Sequence, residues 1–139
     1  MTPLFPDLPV LLVEDSGFVR ALIRRMLRQV GLRNVTEAGD GEAALDALQT
    51  FAPELLLLDW HLPNLNGGQL LEIIRDPSIS SRPDLPVIVF SGAPTKPMLD
   101  KAAKMGVTCF LRKPFSPNDL WRRMQALGLG VAPKAAVNQ

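Results

Sequence analysis

Five short apolar runs punctuate the chain, and each is followed by a stretch whose apolar residues recur at helical spacing. The runs are Val10–Glu14, Asn34–Ala38, Leu55–Asp59, Pro86–Ser91 and Thr108–Leu111. Three of them hold four successive apolar residues: Val10-Leu11-Leu12-Val13, Leu55-Leu56-Leu57-Leu58 and Val87-Ile88-Val89-Phe90. Strands buried on one face alternate apolar and polar residues, whereas unbroken runs mark strands covered on both. Helix 1 is predicted from about Gly17 to Val30, on Phe18, Leu22, Ile23, Met26, Leu27 and Val30, with Gly31 as its stop. Asp40-Gly41-Glu42 opens helix 2, whose apolar face is Ala44, Ala47, Leu48 and Phe51, and Pro53 ends it. Helix 3 starts near Gly67 and buries Leu70, Leu71 and Ile74. The polar, Ser- and Pro-rich stretch from Arg75 to Asp84 reads as a surface loop. Helix 4 starts late, near Pro97, because Pro94 and Pro97 fit only a loop or a first turn, and it ends at Gly106. Helix 5 begins at Pro117 after a Ser116 cap and carries Leu120, Trp121, Met124 and Leu127.

Alternating strands and helices imply a parallel sheet with helices on both faces. Right-handed crossovers then give a doubly wound α/β fold with five strands in the flavodoxin-like order 2-1-3-4-5. Residues 9–127 form the folded unit, 1–8 an N-terminal extension and 128–139 a frayed tail. The length of 139 residues suits one domain with a real core.

A formal net charge of +1 argues against nonspecific nucleic-acid binding. Cys109 is the only cysteine, so no intramolecular disulfide can form, which suits a reducing cytosol, and its apolar strand makes it a core filler. Met-Thr-Pro-Leu-Phe-Pro at the start has no basic region or long apolar run, so no signal peptide is expected. No run reaches the roughly 20 apolar residues of a membrane span. The expected location is the cytoplasm, with no membrane contact.

Charge sits at the ends of the runs. Glu14 and Asp15 end the first, Asp59 ends the third, and Lys113 follows the fifth. In open α/β sheets the carboxyl ends of the strands share one edge, where ligands bind. Carboxylates crowded there repel one another unless a cation sits among them. Mg²⁺ takes oxygen ligands and binds through one or two carboxylates plus phosphate oxygens, which Asp15 and Asp59 can supply, with Glu14 placed to orient metal-bound waters. An aspartate can also accept a phosphoryl group as an acyl phosphate, a transfer that needs positioning and charge neutralisation. Lys113 is a point charge for one phosphate oxygen and Ser91 a hydroxyl donor for another.

Taken together, Glu14-Asp15-Ser16, Ala38-Gly39-Asp40-Gly41-Glu42-Ala43, Asp59, Leu62-Pro63, Asn66-Gly67, Ser91 and Lys113-Pro114-Phe115 resemble the receiver domain of bacterial two-component response regulators. The resemblance spans roughly Val10 to Leu127. Asp59-Trp60 and Leu85-Pro86-Val87 are most similar to the single-domain chemotaxis members. The resemblance implies that Asp59 accepts the phosphoryl group from a histidine kinase, a histidine phosphotransfer protein or acetyl phosphate. It implies Mg²⁺ on Asp15, Asp59 and the backbone carbonyl of His61, with Glu14 in support. Ser91, Lys113 and Gly92 would hold the phosphoryl group, Phe110 would be the switch aromatic moving with Ser91, and the Lys113-Pro114 bond would be cis. Because receivers dock on helix 1, the stripe Arg20, Arg24 and Arg28 is a candidate docking surface for the donor. The implied function is a phosphorelay switch for a downstream protein target, with no DNA binding by this chain and no catalysis beyond self-phosphorylation and autodephosphorylation.

Three alternatives stand beside this one. The chain could be a receiver cut from a hybrid kinase or larger regulator. It could be a pseudo-receiver that binds without phosphorylation, although neither the acidic cluster nor Lys113 is missing. A Mg²⁺-dependent phosphohydrolase of the haloacid dehalogenase type would want a second Asp two residues after the first, where His61 stands. The segment Gly92 to Pro97 departs from the family, with a glycine and two prolines before helix 4.

Overall fold

The computed structural model describes residues 7–128. The element order is β1 (Val10–Val13), α1 (Gly17–Gln29), β2 (Val35–Ala38), α2 (Gly41–Thr50), β3 (Leu55–Asp59), α3 (Gly67–Arg75), β4 (Val87–Ser91), α4 (Lys96–Lys104), β5 (Cys109–Arg112) and α5 (Pro117–Ala126). The strands form one parallel sheet in the order β2-β1-β3-β4-β5. This is the doubly wound flavodoxin-like arrangement that the alternation of elements predicts.

The pleat explains the unbroken apolar runs. Val10 and Leu12, Leu55 and Leu57, Ile88 and Phe90, and Cys109 and Leu111 point to one face, where they pack with Ile23, Leu27, Leu120 and Met124 of α1 and α5. The residues between them, Leu11, Val13, Leu56, Leu58, Val87 and Val89, point to the other face, against Ala44, Leu70, Leu71, Ile74 and Ala102 of α2, α3 and α4. Each central strand therefore serves two cores, and burying a large aliphatic side chain contributes about 1.5–3 kcal/mol. Phe110 lies on the second face, partly buried.

Side-chain caps start every helix. Ser16, Asp40, Asn66, Thr95 and Ser116 each accept a backbone N–H from the first turn. Asn66–Gln69 and Ser116–Asp119 are reciprocal capping boxes. Helix α4 starts at Lys96 with Pro97 in its first turn, so the Gly92–Thr95 segment stays outside it. Gly31 and Gly106, with φ of 90° and 78°, turn the chain after α1 and α4.

Some boundaries and faces differ from the sequence reading. β1 ends at Val13 and β5 runs on to Arg112, one residue off in each case. Phe18 and Leu22, assigned above to the apolar face of helix 1, are 75% and 37% exposed. The inward stripe is Val19, Ile23, Met26, Leu27 and Val30, and Phe18 and Leu22 sit one position behind it around the helix. Arg75 is the last residue of α3 and not loop. Its guanidinium donates to the carbonyls of Met105 (2.7 Å), Pro83 (2.9 Å) and Leu85 (2.7 Å), and burial lowers its pKa. The 1–8 extension and the 128–139 tail fall almost wholly outside the described residues. No helix of the described residues is long and apolar enough to cross a membrane.

Candidate phosphoryl-acceptor site

The parallel register brings four strand ends to one edge. Glu14 and Asp15 follow β1, Asp59 closes β3 and Lys113 follows β5, while Ser91 closes β4 opposite Arg112. Carboxylate oxygens of Glu14, Asp15 and Asp59 all lie within 4.8 Å of one another. Glu14 and Asp59 are buried, and Asp15 is exposed.

One ammonium serves this cluster. Lys113 Nζ donates to Glu14 Oε1 at 2.6 Å and to Asp59 Oδ2 at 3.1 Å. Glu14 Oε2 accepts the Ser16 N–H at 2.9 Å, and Asp59 Oδ1 accepts the His61 N–H at 3.0 Å. Both oxygens of Glu14 are thus engaged within the protein. Burial works against a charged Lys113, but its bonds to Glu14 and Asp59 outweigh this and hold its pKa above the ordinary value. For Asp15, the neighbouring Glu14 carboxyl, then burial, raise the pKa, while Lys113 pulls the other way. One ammonium therefore undercompensates three carboxylates.

Lys113 is held from below as well. Its ammonium lies 5.2 Å from the centroid of the Phe90 ring, and Phe115 meets that ring edge-on at 5.8 Å. Sequence reasoning missed Phe90 as a support for Lys113, since it reads only as the end of an apolar run. The Lys113 N–H donates to Ser91 O at 2.8 Å and the Lys113-Pro114 peptide bond is cis. Ser91 is fully buried, and its hydroxyl accepts the Ala93 N–H at 3.1 Å. Gly92 is exposed and lies against Lys113, since a Cβ there would stand 4.0 Å from Lys113 Cβ.

Beyond Asp59 the backbone is crowded. A Cβ on Gly67 would stand 2.7 Å from Trp60 Cα and 2.8 Å from Asp59 O, so only glycine lets α3 begin this close to β3. The side chain of His61 is exposed, and only its N–H engages Asp59.

The basic stripe on α1 is not the free surface that its spacing suggests. Arg20 and Arg24 both bind Glu37 on β2, at 3.1 and 2.6 Å. Arg28 is exposed, as is Arg25. Helix α1, which starts two residues after Asp15, exposes Phe18, Ala21 and Leu22.

As a donor set, the cluster fits Mg²⁺. It offers hard carboxylate oxygens, one of them on an exposed residue, and their charge is only partly balanced. A groove of about 740 Å³ lies at the opposite edge, between the C-terminal ends of α2 and α3, lined by residues such as Leu48, Phe51, Ile73 and Leu85. It has no part in this chemistry.

Residues 10–125 match the family model described as response regulator receiver domain. The chain is 30% identical over 118 residues to the chemotaxis protein CheY of Pseudomonas aeruginosa, covering 85% of this chain and 94% of that protein. It is 31% identical to the phosphate regulon transcriptional regulatory protein PhoB of Escherichia coli, but spans 54% of its length. Among solved structures it resembles the receiver domain of Francisella response regulator 1452, with a TM-score of 0.75, 30% identity, and coverage of 87% of this chain and 96% of that one. A response regulator receiver protein from Pseudomonas putida gives a TM-score of 0.78 at 26% identity, over 86% and 97% of the two chains.

Proposed function

The chain belongs to the response regulator receiver domain family of two-component signalling, and from that premise we propose that Asp59 is its phosphoacceptor. The observation that carries this reading is the meeting of Asp59, Glu14, Asp15 and Lys113 at one sheet edge. Residues 54 and 99 positions apart in sequence have no local reason to meet there. Residues 9–127 are the receiver unit in this reading, with 1–8 an extension and 128–139 a tail.

An oxygen of Asp59 attacks the phosphorus of a phosphohistidine or of acetyl phosphate. The new O–P bond forms as the bond to the donor breaks, and the product is an acyl phosphate. Asp15, Asp59 and the carbonyl of His61 would hold Mg²⁺, with Glu14 orienting its waters. When bound, the ion neutralises charge on the phosphoryl oxygens. Lys113 leaves its bond to Asp59 Oδ2 for a phosphoryl oxygen while Phe90 supports its chain. Ser91 and the backbone at Gly92 take the remaining oxygens. The Ser91 hydroxyl, which accepts the Ala93 N–H, has its own hydrogen to donate to one of them, which links the site to the segment before α4. Phe110, partly buried on that side, follows Ser91 as the switch aromatic, and a protein-binding surface around α4, β5 and α5 changes its population.

Donor docking is better placed on Phe18 and Leu22, with Arg25 and Arg28 beside them, than on the Arg20–Arg24–Arg28 stripe. The exposed apolar pair lies in the first half of α1, which starts just after Asp15, while Arg20 and Arg24 are engaged with Glu37. The donor is a histidine kinase or histidine phosphotransfer protein and the output is a protein target. Such a switch works in the cytoplasm.

A titration with beryllofluoride in Mg²⁺, followed by tryptophan fluorescence, tests this. Saturable binding that requires Mg²⁺ and is lost in Asp59→Asn supports the phosphoacceptor reading. Equal binding by Asp59→Asn overturns it, and turnover of phosphate esters would favour a phosphohydrolase.

A further inference from the structure

We propose that Arg20, oriented by Glu37, is a positioning residue that sets the metal affinity of the acid loop; this rests on the Mg²⁺ reading above. Arg20 stands in α1, outside the charged strand ends. Its Nη1 turns back over the loop and donates to the carbonyl of Glu14 at 2.7 Å and to that of Asp15 at 3.3 Å. These are the carbonyls of the two residues whose carboxylates face the metal position. Asp15 is exposed, so no packing fixes its side chain. Its direction follows from the backbone at Glu14 and Asp15, which Arg20 grips.

Arg20 is itself aimed. Its Nε donates to Glu37 Oε1 at 3.1 Å. Glu37 Oε2 accepts from Arg24 at 2.6 Å, and Arg24 also reaches the carbonyl of Val35 at 3.3 Å. Both oxygens of Glu37 are thereby fixed to α1. The Arg20 guanidinium fits between two glycines. A Cβ on Gly39 would stand 3.4 Å from its Nη1, and one on Gly17 would stand 3.6 Å from its Nη2. Arg20 is half-buried and Glu37 exposed, with side-chain exposures of 24% and 32%. The chain of contacts therefore runs from β2 through α1 to the ligand loop.

Positioning and simple charge predict opposite signs for Arg20→Gln, and only positioning makes the double variant no weaker than the single ones. Arg20 is a cation near a cation site, so on charge alone Arg20→Gln should tighten Mg²⁺ and Glu37→Gln should weaken it. If the pair positions the loop, both variants weaken Mg²⁺, by about tenfold, as is usual when groups behind a metal's ligands are removed. The double variant should then be no weaker than either single one, because the two residues act as one unit. Arg20→Lys, able to donate to a carbonyl but not to span to Glu37 in the same geometry, should fall between.

The experiment is a Mg²⁺ titration of the full chain followed by amide NMR shifts at Asp15, Asp59 and His61, with no phosphodonor present. The remaining spectrum reports folding in the same samples. Weakening in both single variants, without additivity, supports the proposal. Wild-type affinity in a folded Arg20→Gln or Glu37→Gln variant overturns it, as does tighter binding in Arg20→Gln. If the wild-type chain itself gives no saturable response, or Asp15→Asn responds as wild type does, the metal reading fails and this proposal with it.

Discussion

Removing one carboxylate from the acid cluster should stabilise the metal-free protein while abolishing its response to Mg²⁺. Asp15→Asn is the informative change, because Asp15 is exposed and the amide keeps its shape and volume. In the metal-free state Asp15 faces two like charges, Glu14 and Asp59, within 4.8 Å, and one opposite charge, Lys113, already bonded to both of them. The attraction offsets one of the repulsions, leaving roughly one net unfavourable pair. At 4.8 Å that pair is worth about 0.9 kcal/mol in a water-like dielectric and about 3.5 kcal/mol at an effective dielectric of 20. Because Asp15 is open to solvent, the lower figure applies, and we expect a gain of about 1 kcal/mol. The raised pKa of Asp15, caused first by the Glu14 carboxyl, has the same sign. With Mg²⁺ at about 100 times its dissociation constant, the wild-type chain should gain about 2.7 kcal/mol by linkage, and Asp15→Asn little of it. Urea unfolding with chelator and with Mg²⁺ measures both, provided the slopes match. An Asp15→Asn protein less stable than wild type in chelator would refute the charge argument. An undiminished Mg²⁺ gain would refute the ligand role.

Gly67→Ala should cost about 3 kcal/mol and displace Asp59, since its Cβ would stand 2.7 Å from Trp60 Cα; a near-neutral unfolding midpoint would contradict this. Arg75→Ala leaves the carbonyls of Met105, Pro83 and Leu85 without their donor, and should cost about 3 kcal/mol in urea unfolding; a loss below about 1 kcal/mol would show that water replaces the guanidinium. Phe18→Ala should slow phosphoryl transfer from a phosphohistidine protein several-fold and leave transfer from acetyl phosphate unchanged, and equal slowing of both would remove α1 as the docking face. The Asp119 carboxylate accepts the Ser116 N–H and is held below its ordinary pKa, so its contribution is present above an unfolded value of about 3.9 and is lost as pH falls through the folded one. An NMR titration giving Asp119 an ordinary pKa would contradict that.

The strands were legible because both sheet faces are covered, so burial shows directly as unbroken runs of Leu, Val and Ile. Their parallel order followed from alternation, and the order brought Glu14, Asp15, Asp59 and Lys113 to one edge before any distance was known. What stayed hidden depends on angles and partners that spacing does not encode. Phe18 and Leu22 have helical spacing relative to Ile23 and Leu27, but the direction of the core around α1 is set by its docking on the sheet. The stripe of Arg20, Arg24 and Arg28 looked free because Glu37, its partner for two of the three, comes from β2, 13 and 17 residues away. Phe90 under Lys113 was invisible for the same reason, since only the β4–β5 pairing sets that ring beneath the ammonium. The Phe after Lys113-Pro114 was a signal that could have found it, because Phe115 packs on Phe90.

The central claim is that Asp59 takes up a phosphoryl group. Intact mass spectrometry after incubation with acetyl phosphate and Mg²⁺ tests it most directly. The account predicts one added phosphoryl group, dependent on Mg²⁺, labile as an acyl phosphate is, mapped to Asp59 and absent in Asp59→Asn. No adduct on the wild-type chain from either acetyl phosphate or a phosphohistidine donor, or an adduct that persists in Asp59→Asn, would contradict it.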